Sequence, residues 1–357
     1  MMTRLILFVA LSGMLLSATP VDPAIKKAVS TSRSLVEEQM RKQRIPGLSV
    51  VVTIGGKTAW SQGFGFADLE QGVAVDPDKT RFRIASISKA LTATGMAVLW
   101  ERGQLNLDSS IWYYLKDFPE KKYRPTVRQV AGHLGGIRHY RGNENESRDH
   151  YRTVSEGLSI FSNDTLLCKP GTAYHYSSYG FNLLSAVMES ATGKNYLDLM
   201  QREVLTPLGM TRTVADHIDS VISGRGRYYL RNGKHAPFVD NSYKWAGGGY
   251  LSTATDLAAF GNGLLENRLL KPETLNAFIR TQVLADGTAT GYGMGFRSEK
   301  DPAGRPVFGH SGGAVGGTSN LAIYPEQNMV VVILTNVSGA DLGDLTDKIA
   351  GLFAYRP

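Results

Sequence analysis

Apolar and polar positions follow two regimes along this chain. From Ala24 to Gln43, Ile25, Val29, Leu35 and Met40 recur among polar residues and predict an amphipathic helix. Leu48–Ile54 and Lys57–Phe66 read as two strands joined at Gly55-Gly56, a β-hairpin. The far end mirrors it: Thr318–Tyr324 and Met329–Asn336 are apolar runs separated by a Pro-Glu-Gln-Asn turn, and Asp341–Tyr355 predicts a closing helix. Strand signals also lie at Tyr292–Arg297 and Pro306–His310, on either side of the Asp301–Gly304 turn.

The middle is helical in pattern. Ser86–Arg102 ends at Gly103, and Thr126–Leu134, Phe181–Ala191 and Tyr196–Leu205 follow. Thr253–Leu265 begins on a cap-type residue and keeps helical spacing despite Gly261 and Gly263. Strands at both ends with helices between predict an α+β fold, with one antiparallel sheet built from both chain ends (about 24–85 and 290–355). A mainly helical region, about 86–289, is inserted into that sheet. Gly142–Arg152 is polar and aperiodic and predicts a mobile surface loop.

The first twenty residues stand apart. Met1–Arg4 carry one positive charge, Leu5–Leu16 are apolar, and Ser17–Pro20 are small and turn-prone, the layout of a signal peptide over 1–20. The apolar run is shorter than the roughly 20 residues that span a bilayer. The expectation is an exported protein, periplasmic or secreted, with no stable membrane span after cleavage.

Composition narrows the classes. Lys+Arg 39 against Asp+Glu 32 gives +7, but no basic run exceeds two residues, so no nucleic-acid partner is expected. One cysteine, Cys168, excludes an intrachain disulfide and has no evident role. Seven scattered histidines contain no His-Glu-x-x-His, and neither metal nor cofactor is expected.

Three segments carry candidate chemistry. In Ser86-Ile-Ser-Lys89, residues three apart share a helix face, so Lys89 can activate Ser86 while Ser88 points elsewhere. The bland alternative is an N-cap serine with a surface lysine. Tyr176-Ser177-Ser178 offers a tyrosine able to serve as a base beside a lysine, or simply a packed aromatic before a helix. Gly309-His310-Ser311-Gly312-Gly313 reads as a nucleophile elbow on Ser311 or as a strand edge. The elbow needs a later histidine, and none follows His310. As a strand edge, the segment lets substrate approach closely and offers the Gly313 N–H to an oxyanion.

In this order, the three segments resemble the serine β-lactamase-like family, which includes class C β-lactamases, related penicillin-binding proteins and some esterases. The resemblance runs from about Ile45 to the C-terminus, implying a single hydrolase domain over 24–355 with the β-lactamase/transpeptidase-like fold. Phe82–Lys89, Gly136–Tyr140 and Val239–Gly249 resemble the mitochondrial branch of that family, although a long insertion after Ile-Arg-His-Tyr is much shorter here. By implication Ser86 is the acylated nucleophile, Lys89 its activating partner and Tyr176 the general base. His310 and Gly312 occupy the third motif, and the N–H groups of Gly313 and Ser86 form the oxyanion hole. Ser178 stands where β-lactamases usually have Asn, and His310 replaces a lysine that binds the β-lactam carboxylate. Both changes argue against efficient antibiotic hydrolysis. His133, in Gly-His-Leu-Gly-Gly, reads as structural; Asp240–Trp245 reads as pocket lining or an ordinary loop.

The resulting expectation is a cofactor-free serine hydrolase acting through an acyl-enzyme on small peptides or amides. The alternatives are an esterase or weak β-lactamase on the same site, or a non-catalytic binding protein. Self-association into a homo-oligomer or filament belongs to the same resemblance.

Overall fold

The computed structural model describes residues 22–354, so the signal peptide expected over 1–20 and Tyr355 lie outside the described residues. Helix α1 (Pro23–Gln43) leads into β1 (Gly47–Ile54), β2 (Lys57–Asp68) and β3 (Val73–Ala74). The C-terminal part supplies β7 (Arg297–Lys300), β8 (Pro306–Ala314), β9 (Gly317–Tyr324) and β10 (Met329–Thr335). Together they form one antiparallel sheet in the order β3-β2-β1-β10-β9-β8-β7. The chain ends meet at its centre, where Val51 of β1 faces Val332 of β10.

Both faces of the central strands are covered, which explains their unbroken apolar runs. Val330, Val332 and Leu334 face the helical region, whereas Met329, Val331 and Ile333 face α1 and the Leu345–Ala354 helix. The Ala254–Leu265 helix lies flat on β10 because Gly261 lacks a side chain; a β-carbon there would sit 2.7 Å from Val330 Cγ1. Thr53 of β1 hydrogen-bonds Asn262 of that helix at 2.7 Å.

Helix α2 (Ile87–Glu101) runs through the interior, buried on all sides from Ile87 to Leu99. Above its N-terminus lies a second, small sheet: β4 (Phe82–Arg83), β5 (Val214–Ala215) and β6 (Tyr250–Ser252), in the order β4-β6-β5. No helix among the described residues is long and apolar enough to cross a membrane.

Four expectations are corrected. Tyr292–Arg297 is not a strand: Gly295 turns the chain at φ 82°, and the amides of Gly293 and Met294 donate to Phe296 and Phe278 rather than to a ladder. Its apolar residues are there to fill the core. The closing helix starts at Leu345, because Gly343 at φ 50° cannot be helical and Asp341 caps a turn. The Tyr196–Met200 helix widens into a π turn over Gln201–Leu205. The segment 142–152 is pinned rather than loose. Glu144 pairs with buried Arg138 at 2.6 Å, Tyr243 and Lys244 donate to the carbonyls of Glu144 and Asn145, and His150 meets Asp240 at 2.8 Å.

Candidate active site

Ala85 holds a left-handed φ of 49° between β4 and α2, a strained turn for a side-chain-bearing residue. It delivers Ser86 to the start of α2, partly exposed in an otherwise buried stretch. The Ser86 side chain makes no capping hydrogen bond, so the bland N-cap reading fails and the hydroxyl is free for other partners. One helical turn on, Lys89 places Nζ 3.0 Å from Ser86 Oγ. Tyr176 donates its hydroxyl to the same oxygen at 2.8 Å. Nζ also reaches Ser178 Oγ at 2.9 Å and the Gly247 carbonyl.

Lys89 has no exposed surface and no carboxylate within ion-pair distance among the described residues. Burial first, and the charge of Lys244 second, push its pKa well below the usual lysine value. Burial acts oppositely on Tyr176, raising its pKa, with the hydrogen bond to Ser86 only partly offsetting. The pair therefore favours a neutral amine and a neutral phenol.

The segment carrying Tyr176 is held from behind by two histidines. Ser177 N–H donates to His133 Nδ1 at 3.1 Å, and Ser178 N–H donates to His139 Nδ1 at 3.2 Å. The His133 ring also packs 4.4 Å from the Tyr176 ring. Ser177 caps the Ser178–Thr192 helix through Gly180 N–H, which sets Ser178 on its first turn, facing Lys89.

Strand β8 forms the opposite wall. Gly312 presses on the turn before Ser86; a β-carbon there would lie 2.5 Å from Ile84 O and 2.9 Å from Ala85 Cβ. Gly313 has open space where its side chain would be and lines the cavity with Ser86. It lies on the part of β8 that extends past β7, whose pairing stops at Gly309. Ser311 is exposed on β8 without an acid–base partner among the described residues, so the elbow reading has no support.

His310 is placed differently from its expected substrate-facing position. It is 2% exposed and does not line the cavity. Nδ1 is taken up by the Ser311 carbonyl and Nε2 by the Tyr292 hydroxyl at 3.0 Å. Burial, then the Lys89 charge, lower its pKa to about 3, so it supplies no cation near neutral pH.

The cavity, about 140 Å³, is also lined by His139 and Lys244, two residues outside the motif set. Lys244 Nζ donates to Asn145 O at 2.9 Å and lies 5.0 Å from the Tyr243 ring centre. Burial, then Arg83, lower its pKa to about 7. Of the Asp240–Trp245 segment, which reads from sequence as pocket lining or an ordinary loop, Lys244 is the residue that lines this cavity. Cys168 lies away from this group and makes only a weak contact, 3.9 Å from Ala173 O. Among the described residues, no three His, Cys, Asp or Glu side chains are grouped to hold a metal ion.

The Beta-lactamase family model matches residues 33–354. The human serine beta-lactamase-like protein LACTB, mitochondrial, is 33% identical over 93% of this chain and 81% of its own length. The mouse protein of the same name is 33% identical over 93% and 82%. Among solved structures, an octameric penicillin-binding protein homologue from Pyrococcus abyssi matches with TM-score 0.74 and 25% identity, covering 88% of this chain and 74% of that one. A class C beta-lactamase mutant shares the fold at TM-score 0.77 and 19% identity, over 93% and 99%. The expectation of a periplasmic or secreted protein is overturned by the mitochondrial relatives. The chain belongs to the beta-lactamase family, serine hydrolases of the penicillin-binding-protein fold, and is related to LACTB.

Proposed function

We propose that this protein hydrolyses peptide-type amides through an acyl-enzyme on Ser86. The observation that carries the reading is the convergence of Lys89 Nζ and Tyr176 Oη on one Ser86 oxygen, at 3.0 and 2.8 Å. A neutral amine has two N–H groups and one lone pair. Gly247 O and Ser178 Oγ take the two N–H groups, which leaves the lone pair for the Ser86 proton. Lys89 is then the base, a revision of the assignment to Tyr176, whose raised pKa keeps its proton in place.

Ser86 Oγ bonds to the carbonyl carbon while its proton passes to Lys89 Nζ. The oxyanion so formed faces the N–H groups of Ser86 and Gly313. Collapse breaks the C–N bond, and the departing nitrogen takes a proton from Tyr176, which is replenished from Lys89. Water then attacks the ester by the same route and frees Ser86. An amine leaving group requires this acid, whereas an activated ester does not. That requirement supports amide over ester chemistry, and the uncharged His310 argues against capture of a β-lactam carboxylate.

The test is a panel of peptide nitroanilides, p-nitrophenyl esters and a chromogenic cephalosporin, read for wild type and Ser86→Ala. Peptide turnover lost in the variant is expected; a dominant ester or cephalosporin rate would overturn the amide assignment. Self-association rests on the octameric description of one solved relative, and a monomer in light scattering would end it.

A further inference from the structure

His139 is held unusually firmly for a loop residue at the mouth of a cavity. Arg138 anchors the backbone beside it, donating to the His139 carbonyl at 3.0 Å while pairing with Glu144 and Asp164. The ring lies 4.4 Å from that of Tyr140 and 5.4 Å from that of Tyr176, which sets its plane. Its Nδ1 accepts the Ser178 amide proton at 3.2 Å. A nitrogen that accepts must carry a lone pair, so the ring proton of the neutral form sits on Nε2.

Nε2 has no hydrogen-bond partner among the described residues, yet it is not one of the buried unpartnered atoms. The residue is half-buried and lines the cavity with Ser86, so this N–H is open to whatever enters. Burial, then the charges of Lys89 and Lys244, hold the imidazole pKa at about 4, with Glu144 opposing. The donor therefore stays neutral across the physiological range. Ser178, another polar residue of the cavity wall, already accepts from Lys89.

We propose that His139 Nε2–H is a substrate-binding donor that selects acyl groups carrying a hydrogen-bond acceptor next to the scissile carbonyl, as N-acylaminoacyl chains do. The cavity, about 140 Å³, has room for one such acylamino group. This assignment rests on the acyl-enzyme reading at Ser86.

Two esters test it: p-nitrophenyl N-acetylglycinate and p-nitrophenyl pentanoate, which matches its chain length but lacks the amide. His139→Asn keeps an acceptor near the Nδ1 position and removes the distal donor; His139→Gln restores a distal N–H. His139→Asn is expected to lower kcat/KM on the acetylglycinate about tenfold, the size of one lost neutral hydrogen bond, and to leave the pentanoate within about twofold. His139→Gln should recover part of the loss. The wild-type preference should be flat from about pH 6 to 8, where a neutral imidazole does not titrate. Equal losses on both esters, no loss on either, or a preference that fades as pH rises through that range would overturn the assignment. Fluorophosphonate labelling of Ser86 separates the two layers. A wild type that is neither labelled nor active overturns the acyl-enzyme reading and this inference with it. Labelled protein with unchanged selectivity in His139→Asn overturns the His139 role alone.

Discussion

Gly312 packs against the carbonyl of Ile84 so closely that a β-carbon on it would lie 2.5 Å from that oxygen. The third motif is thereby wedged against the turn that presents Ser86. Gly312→Ala should force β8 away, costing about 1–3 kcal/mol in stability and a larger share of activity. Gly313→Ala meets no atom within 4 Å and should leave the melting temperature nearly unchanged. Thermal melts of the two variants side by side check the contrast; equal destabilisation would refute it.

Ser86→Ala should abolish turnover and fluorophosphonate labelling with an unchanged far-UV spectrum. Ser311→Ala, on an exposed position of β8, should keep activity within about twofold, as surface substitutions away from a site generally do. Labelling that disappears in Ser311→Ala would return the nucleophile to the elbow.

Catalysis by a neutral Lys89 has a definite pH signature. The rate should rise with pH as Lys89 loses its proton, in a range displaced well below 10.5 by burial. Lys89→Met should lose about 10²–10⁴-fold on every substrate. Tyr176→Phe should lose more on a peptide nitroanilide than on a nitrophenyl ester, because only the amine needs protonation. A wild-type profile that falls with rising pH over the same range would exclude the amine as base.

Lys244 links the site to stability. Its folded pKa of about 7 lies below the ordinary lysine value of 10.5, so the unfolded chain binds more protons between those values. Stability should therefore fall as pH drops from about 10.5 to about 7, and level off below. Lys244→Met should flatten that slope, so that its melting temperature gains on wild type by a few degrees as pH is lowered through this window. Loss of the hydrogen bond to Asn145 O adds an offset independent of pH. Parallel melting curves across the window would contradict the assignment.

Arg138 is 6% exposed and is the anchor of the 142–152 segment. Arg138→Ala takes from Glu144 its ion-pair partner and leaves Asp164 with Arg141 alone, and should cost about 1–3 kcal/mol. Amide exchange over 141–150 should accelerate in the variant, and KM should rise because His139 loses its backbone support. Unchanged exchange protection would show that the segment is held by Tyr243 and Lys244 instead.

Sequence alone determined a good deal. The apolar runs of β1 and β10, the hairpin turns and the capped helix after Thr253 depend on local periodicity and turn chemistry, which the chain states residue by residue. The three-residue spacing of Ser86 and Lys89 is local too, and helix geometry alone brings them together. Other features needed the tertiary structure. The strands of the small sheet are two or three residues long, too short for any period to register. Tyr292–Arg297 read as a strand because core-facing residues are apolar whatever their backbone does. His139 comes from an irregular segment and Lys244 from a single 3-10 turn about a hundred residues further on, and no spacing rule connects them to Ser86. The proposed exchange of roles between Lys89 and Tyr176, and the loss of charge at His310, rest on desolvation, which depends on what surrounds a group in space and not on its neighbours along the chain.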